Sequence, residues 1–330
     1  MSTGCQEMSA PVPTLVPMTS PLPRTQHLVP AAAAALDAIL GRLQRGYGDA
    51  SLRRVGAQWW RASTTPEGPV LLRLRPVGAD VEVSAQGPGA QWALAQAPRL
   101  LGRDDRPESF ASDHRLLGQA VRRPERWRLG ATDRLAEALA PVVIEQKVTG
   151  REAFTSIRRL IRRFGAPAPG AEDASHPAHG LHCSPDAAGW MAIPRWEFVQ
   201  VGVDDRRAAT LTRAMTKVAA LERLMARAQP DATSRGESLQ AALVSLPGIG
   251  VWTAAKVRQQ VLGDPDAWSV DDYHVPGMVA LHLGGDPAEQ LDQFRPHRYR
   301  VELALMRLGL PERHGARRSL PTHLPVRGGW

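Results

Sequence analysis

Cysteine is scarce in this sequence, with Cys5 and Cys183 the only two among 330 residues. Two thiols exclude a disulfide framework, and they cannot supply the four thiolates of an iron–sulfur cluster. Long apolar runs are also missing, and none approaches the roughly 18 residues of a membrane-spanning helix. The first residues lack the basic start and apolar stretch of a secretory signal, so we expect none. These absences favour a protein of a reducing cytoplasm, without a membrane partner.

Acidic side chains are too few to balance the basic ones. Lys and Arg number 41 against 33 Asp and Glu, which gives a formal net charge of +8. From Arg295 onward, eight Arg face only Glu302 and Glu312. This excess favours a polyanionic partner, with nucleic acid the first candidate. The alternative is that the arginines only solvate the surface.

Both ends of the chain have the composition of tails. Residues 1–29 contain Pro11, Pro13, Pro17, Pro21 and Pro23 among Ser, Thr and Gln. Such a segment cannot bury enough apolar surface to order itself, so we predict a disordered tail. Residues 311–330 are basic and are expected to fray.

Residues 30–102 combine helical and alternating patterns, which predicts a small α+β domain with antiparallel strands. The predicted elements are a helix over Ala31–Leu43, strands over Val55–Ala62, Val70–Pro76 and Ala79–Val83, and a helix over Gln91–Leu101.

Residues 103–310 show helical spacing and no convincing strand, which predicts a helical domain. The main predicted helices run from Thr132 to Lys147, over Glu152–Phe164, over Asp204–Arg227 and over Arg298–Leu310. Between them, a loop over Ala166–Met191 carries His176, His179, His182 and Cys183. A tetrahedral metal site needs further ligands, and the segment has no second cluster, so we predict no metal site.

A tight Pro/Gly turn, Leu246-Pro247-Gly248-Ile249-Gly250, joins two segments with helical apolar spacing. Gly248 and Gly250 can adopt positive φ and leave backbone N–H groups unshielded. At the N-terminus of a helix those groups favour an anion, so the turn suits a phosphate. The alternative is an ordinary helical hairpin whose glycines only form the corner.

The turn and an acidic motif that follows it together resemble a known protein family. The sequence LPGIGVWTA resembles the helix-hairpin-helix element of DNA glycosylases, and VDDYH, about two dozen residues later, resembles their acidic motif. Together they look like the alkylbase (3-methyladenine type II) branch. The resemblance implies a mainly α, α+β fold, with a small N-terminal antiparallel sheet domain before two helical lobes and a cleft between them.

Asp272 occupies the place of the family's catalytic aspartate, and Asp271 fits better as the N-cap of a helix over Tyr273–His282. Chemistry on a base requires the nucleotide to leave the stack. A fixed carboxylate near the extruded sugar then stabilises an oxocarbenium-like transition state and orients water. The alternative is that both aspartates are caps.

Further residues are assigned by their positions in the family motifs. Trp252 and Tyr273 match pocket positions, and Gln146, in Ile144–Val148, matches a helix that borders the base pocket. The predicted phosphate contacts are Gly248, Ile249, Gly250, Thr253, Lys256, Arg298 and Arg300. The resemblance implies no cofactor beyond a structural cation shared between hairpin carbonyls and a bound phosphate.

Trp252 stands where bifunctional members carry a lysine nucleophile, so the resemblance implies a monofunctional enzyme. Lys256 replaces an aromatic residue of a relative, and a residual lyase activity through it stays open. We therefore predict a monomeric, monofunctional glycosylase that excises alkylated bases from damaged double-stranded DNA in base excision repair. The alternatives are a glycosylase for other damaged bases, a non-catalytic helix-hairpin-helix DNA-binding protein, and an RNA- or chromatin-associated protein.

Overall fold

The structure, a computed structural model, describes residues 25–227 and 232–310. The predicted basic tail over 311–330 and most of the predicted N-terminal tail lie outside these ranges. Residues 25–29 are an exception, because they form a strand that pairs with a later one from Thr25↔Ala85 to Val29↔Val81. The predicted tail is therefore too long by these five residues.

The N-terminal domain is a five-stranded antiparallel sheet in the order β1-β5-β4-β3-β2. Its elements are β1 (Thr25–Val29), α1 (Leu36–Leu43), β2 (Leu52–Val55), β3 (Gln58–Thr65), β4 (Gly68–Val77), β5 (Asp80–Gln86) and α2 (Ala90–Leu100). The single strand predicted over 55–62 is in fact split, because a turn at Gly56 and Ala57 separates β2 from β3. Leu36, Ile39 and Leu40 of α1 and Ala97 of α2 join one buried cluster with alternate residues of the strands.

The opposite face of the sheet is covered by the histidine-rich loop. Leu71 of β4 and Ala62 of β3 pack there against Ala178, Leu181 and Cys183 of the loop. This packing explains why neighbouring residues of β4 are buried on both faces. Two short strands in the loop region, β6 (Ala166–Pro167) and β7 (His182–Cys183), pair with each other, contrary to the prediction of no further strand.

The rest of the described chain is helical. Its elements are α3 (Gly118–Arg122), α4 (Leu135–Ile144), α5 (Gly150–Phe164), α6 (Ala187–Ala192), α7 (Arg195–Gln200), α8 (Asp205–Met215), α9 (Val218–Ala226), α10 (Ala232–Val244), α11 (Val251–Val261), α12 (Val275–His282), α13 (Pro287–Asp292) and α14 (Arg298–Leu308). None of the helices within the described ranges is long and apolar enough to cross a membrane.

Two separate hydrophobic cores divide the helical region. The larger surrounds α4, whose residues are almost all buried, and includes α5, α8, α10 and α11. The smaller joins α12, α13 and α14 to Phe110, Leu117 and Trp127. These two cores correspond to the two helical lobes that the sequence resemblance implies.

Several helix ends differ from the predictions for local reasons. The helix predicted over Asp204–Arg227 is two helices, α8 and α9, and the Asp204 carboxylate caps α8 by accepting from the Arg207 amide at 2.9 Å. The helix predicted from Glu152 begins two residues earlier, because the Thr149 hydroxyl caps α5 by accepting from the Glu152 amide at 3.3 Å. The preceding helix already ends at Ile144, and Lys147 has a positive φ of 56°.

Candidate active site at the helical hairpin

The predicted turn is the corner between α10 and α11. Leu239, Leu243 and Ile249 anchor it by packing into the larger core with the apolar side of α11. Gly248 has φ +89°, and a Cβ at this position would lie 2.4 Å from the Thr210 Oγ1 atom of α8. The corner therefore requires glycine at 248 for both conformation and space.

Gly250 has a different part in the corner. Its φ is −98° with ψ 179°, which is extended backbone, so the prediction of a positive φ is wrong at this position. It is the N-cap of α11, no side chain caps the helix there, and a Cβ would meet nothing within 4 Å. The first-turn amides of α11 consequently remain available to an anion at the positive end of the helix.

Gln146 ties the end of α4 to this corner. Its side-chain amide donates to the carbonyl oxygen of Gly248 at 3.0 Å and to the Thr253 hydroxyl at 2.9 Å. The structure thus places Gln146 at the hairpin with a positioning contact. Its role in a base pocket stays a prediction.

Asp272 lies beside the first turn of α11. The indole N–H of Trp252 donates to Oδ2 of Asp272 at 2.8 Å, and the His274 amide donates to Oδ1 at 2.8 Å. The carboxylate is half-buried. Two predicted site residues, 20 positions apart, are therefore in direct contact.

Asp271 is not the helix N-cap that the sequence predicted. The next helix, α12, begins only at Val275, and Asp271 has φ +60° and caps no helix. The Asp272 side chain closes the turn instead, through the His274 amide. Tyr273 is 79% exposed, with its ring edge-on to His274 at 5.4 Å, so it lies at the open side of the site.

Lys256 is the cation of the site. Its ammonium lies 6.0 Å from the centre of the Trp252 ring and 3.8 Å from Oε1 of Glu302. Burial acts to lower the pKa of Lys256, but Glu302, Tyr299, Asp272 and Glu145 together outweigh burial and raise it. Lys256 is therefore held as an ammonium inside the site, and its predicted phosphate contact stays a prediction.

The same ammonium acts on the carboxylate. Burial alone would raise the pKa of Asp272, whereas Lys256, the Trp252 indole and the His274 amide together hold that pKa below its usual value. Asp272 is consequently ionised at neutral pH, as a fixed negative charge must be.

Glu302 is a site residue that the sequence analysis missed. It is 1% exposed and accepts from the amide and hydroxyl of Ser269 at 2.7 and 2.9 Å. Burial raises its pKa, against the effect of Lys256. The available signal was a lone acid in an arginine-rich helix, which favours a buried partner for a base.

Of the two phosphate contacts predicted on α14, the one at Arg300 is wrong, and the one at Arg298 stays a prediction. Arg300 is fully buried and donates to the Trp127 carbonyl and to Asp105, the latter at 2.7 Å. Arg298 is paired with the buried Asp266 at 2.6 Å. Both guanidinium groups have carboxylate partners inside the protein, so they stabilise the smaller lobe.

The predicted phosphate contacts at Ile249 and Thr253 can involve only main-chain atoms. The side chains of Ile249 and Thr253 are buried, at 4% and 2% exposure, so these residues can offer a ligand only backbone groups. Residues 248 to 251 thus form a corner of main-chain groups, and the Trp252 indole next to this corner contacts Asp272.

Metal ligands are not gathered in this part of the molecule. Within the described residues, no three His, Cys, Asp or Glu side chains converge to hold an ion. His179 and His182 of the loop contact backbone carbonyl groups at 3.2 and 3.1 Å.

Known proteins resemble the chain in sequence and fold. No protein-family profile matches it. Over 193 residues it is 27% identical to a protein named probable bifunctional transcriptional activator/DNA repair enzyme AlkA from Mycobacterium tuberculosis, which covers 54% of this chain and 34% of that protein. The chain spans about a third of the length of the curated relatives it matches.

Two solved structures share most of the architecture. The 3-methyladenine DNA-glycosylase from Archaeoglobus fulgidus has a TM-score of 0.62 at 18% identity, covering 87% of this chain and 98% of that one. The Clostridium acetobutylicum 8-oxoguanine glycosylase/lyase in complex with double-stranded DNA has a TM-score of 0.58 at 12% identity, covering 82% and 89%. The predicted fold class and the resemblance to DNA glycosylases are confirmed.

Proposed function

We propose that the chain is a monofunctional DNA glycosylase that excises alkylated bases of the 3-methyladenine and 7-methylguanine class. The main support is the ionised Asp272 carboxylate, which accepts a hydrogen bond from the Trp252 indole beside the open amides of α11. The relative in Mycobacterium tuberculosis is named a DNA repair enzyme, and a structural neighbour is named a 3-methyladenine glycosylase. Both names agree with this reaction and with base excision repair.

The first step is binding of the DNA backbone. The amides of Gly250 and Val251 meet a phosphate, where the partial positive charge of the α11 N-terminus favours it. The target nucleotide leaves the stack, because its glycosidic bond is inaccessible within a duplex. The extruded sugar then faces Asp272.

The second step is cleavage of the base–sugar bond. Positive charge develops on the sugar as the base departs with the bonding electrons, and the Asp272 carboxylate stabilises that charge. Water adds to the anomeric carbon and loses a proton, which leaves an abasic site. A cationic alkylated purine departs without a strong general acid.

Asp272→Asn tests this proposal while preserving shape. The amide cannot supply the negative charge, so we expect single-turnover base release to fall by at least about a hundredfold. Affinity for the duplex should change little, because the phosphate is bound by the hairpin amides. Released bases are identified by chromatography from methylated, deaminated and oxidised duplexes. Base release by the variant at the wild-type rate would contradict the role of Asp272.

A further inference from the structure

A basic cleft of about 690 Å³ shares no lining residue with the candidate active site. It is lined by Gln119, Arg122, Arg123, Arg126, Trp127 and Arg307. Four guanidinium groups thus face one opening, with no acidic residue in the lining. Across residues 25–227 and 232–310, none of these four arginines takes part in an ion pair with a carboxylate.

Contacts between α14 and Trp127 hold the walls of the cleft in place. Arg307 stacks over the Trp127 ring, with its guanidinium carbon 4.3 Å from the ring centre. The buried Arg300, seven residues earlier on the same side of α14, donates to the Trp127 carbonyl and to Asp105. The turn Pro124–Trp127 is thereby attached to α14, which sets the positions of Arg123 and Arg126 relative to Arg307.

The chemistry of the lining points to phosphate groups. Concentrated, uncompensated guanidinium groups repel one another, and an anion relieves this repulsion. Arginine presents paired donors that match phosphate oxygens. The Trp127 ring is only 6% exposed, so it offers no surface on which a base could stack. Such a site contacts a nucleic-acid backbone and does not read bases.

The position of the cleft points to DNA as the source of the phosphates. Glu302 of the candidate active site and Arg307 of the cleft lie five residues apart on α14, which is about 7.5 Å along the helix axis. A duplex carries one charge per roughly 1.7 Å of its axis. We infer that this arginine cleft is a second DNA-backbone site, which binds phosphates flanking the nucleotide held at the hairpin. The inference rests on the proposed function for its ligand.

The test is the salt dependence of binding to an undamaged duplex. Arg123→Gln/Arg126→Gln removes two exposed charges, and each lost phosphate contact lowers the slope of log affinity against log salt by about 0.9. From about 50 to about 200 mM salt, the affinity of the variant should therefore fall roughly tenfold less than that of the wild type. Fluorescence anisotropy measures the affinities of the wild type and the variant. The charge-conserving variant Arg123→Lys/Arg126→Lys should keep the wild-type slope.

The matched control is Lys217→Gln/Arg223→Gln, which removes two exposed charges, one at the N-cap of α9 and one within that helix. An unchanged slope in this control supports the cleft, whereas an equal fall in both variants would overturn it as a general charge effect. A wild-type slope for Arg123→Gln/Arg126→Gln would also overturn it. So would a loss of inorganic phosphate binding in that variant without any change in duplex binding. Undamaged duplex keeps this result separate from a failure of base excision.

Discussion

At the scale of single residues, the candidate active site combines three charges with an indole. Asp272 accepts from Trp252, and the Lys256 ammonium is attracted by both Asp272 and the buried Glu302. Lys256 thus acts on Asp272 through its charge. The consequence is a carboxylate that stays ionised although it is half-buried.

Replacing Lys256 by Met should move the acid limb of base release to higher pH. The ammonium lowers the pKa of Asp272 in the native protein, so its loss raises that pKa and the carboxylate is protonated at a higher pH. We expect a fall of less than about tenfold at neutral pH and a larger one under acid conditions. Single-turnover rates across the pH range measure the limb.

Two further variants control this experiment. Lys256→Arg keeps the charge and should keep the wild-type limb. Lys256→Met/Glu302→Gln avoids an unpaired buried carboxylate, which separates the effect of charge from an effect on folding. An unshifted acid limb in the double variant would show that Lys256 does not act on Asp272.

Lys256 also decides between hydrolysis and lyase chemistry. An amine attacks the sugar only when it is unprotonated, and here the pKa of Lys256 is raised by neighbouring carboxylates. We therefore expect no covalent adduct when borohydride is added during reaction on a damaged duplex. An adduct that disappears in Lys256→Ala would contradict the monofunctional mechanism.

At the scale of elements, the two glycines of the corner between α10 and α11 have different structural roles. Gly248 meets Thr210 closely and has a positive φ, so it determines whether the corner can form. Gly250 has ordinary extended backbone and open space around it, so it determines what can approach the amides. The sequence motif shows both glycines but does not distinguish them.

Gly248→Ala and Gly250→Ala should therefore fail in different ways. Alanine at 248 is strained and clashes with Thr210, which should lower the free energy of unfolding by about 1–3 kcal/mol. Alanine at 250 should change stability by about half a kcal/mol or less, yet weaken duplex binding by covering the amides. Thermal unfolding and anisotropy separate the two effects. Equal stability of both variants would contradict the requirement for glycine at position 248.

Local features of the chain were predictable from sequence, and distant pairings were not. The hairpin corner and the place of Asp272 follow from short motifs. The partners of Arg300 and Arg298 do not, because Asp105 lies 195 positions away and Asp266 lies 32 positions away. Exposed and buried arginines look alike in a sequence, so the buried Arg300 was wrongly assigned to a phosphate, and the ion pair of Arg298 was missed. Strand β1 was missed for the same reason, since its partner β5 is distant in sequence.

At the scale of the whole molecule, the link between the two lobes positions the carboxylate. The chain leaves α11 in the larger lobe, passes Asp264 and Asp266, and reaches Asp272 beside the smaller lobe. Asp264 pairs with Arg258 of α11 at 2.6 Å, and Asp266 pairs with Arg298 of α14 at 2.6 Å. The segment is thereby fixed to a helix of each lobe, which holds Asp272 against Trp252.

Arg298→Gln tests this structural role against the phosphate contact that the sequence suggested. Loss of the guanidinium leaves the buried Asp266 with only the more distant Arg295, at 3.6 Å, so we expect a loss of stability of about 2 kcal/mol, less than for a buried pair that is broken completely. The salt slope of duplex binding should stay at the wild-type value, whereas a lost phosphate contact would lower it by about one. Arg298→Gln/Asp266→Asn removes both charges and should recover part of the stability, because no buried charge is left without a partner. A lowered slope with unchanged thermal unfolding would instead restore Arg298 to the DNA surface.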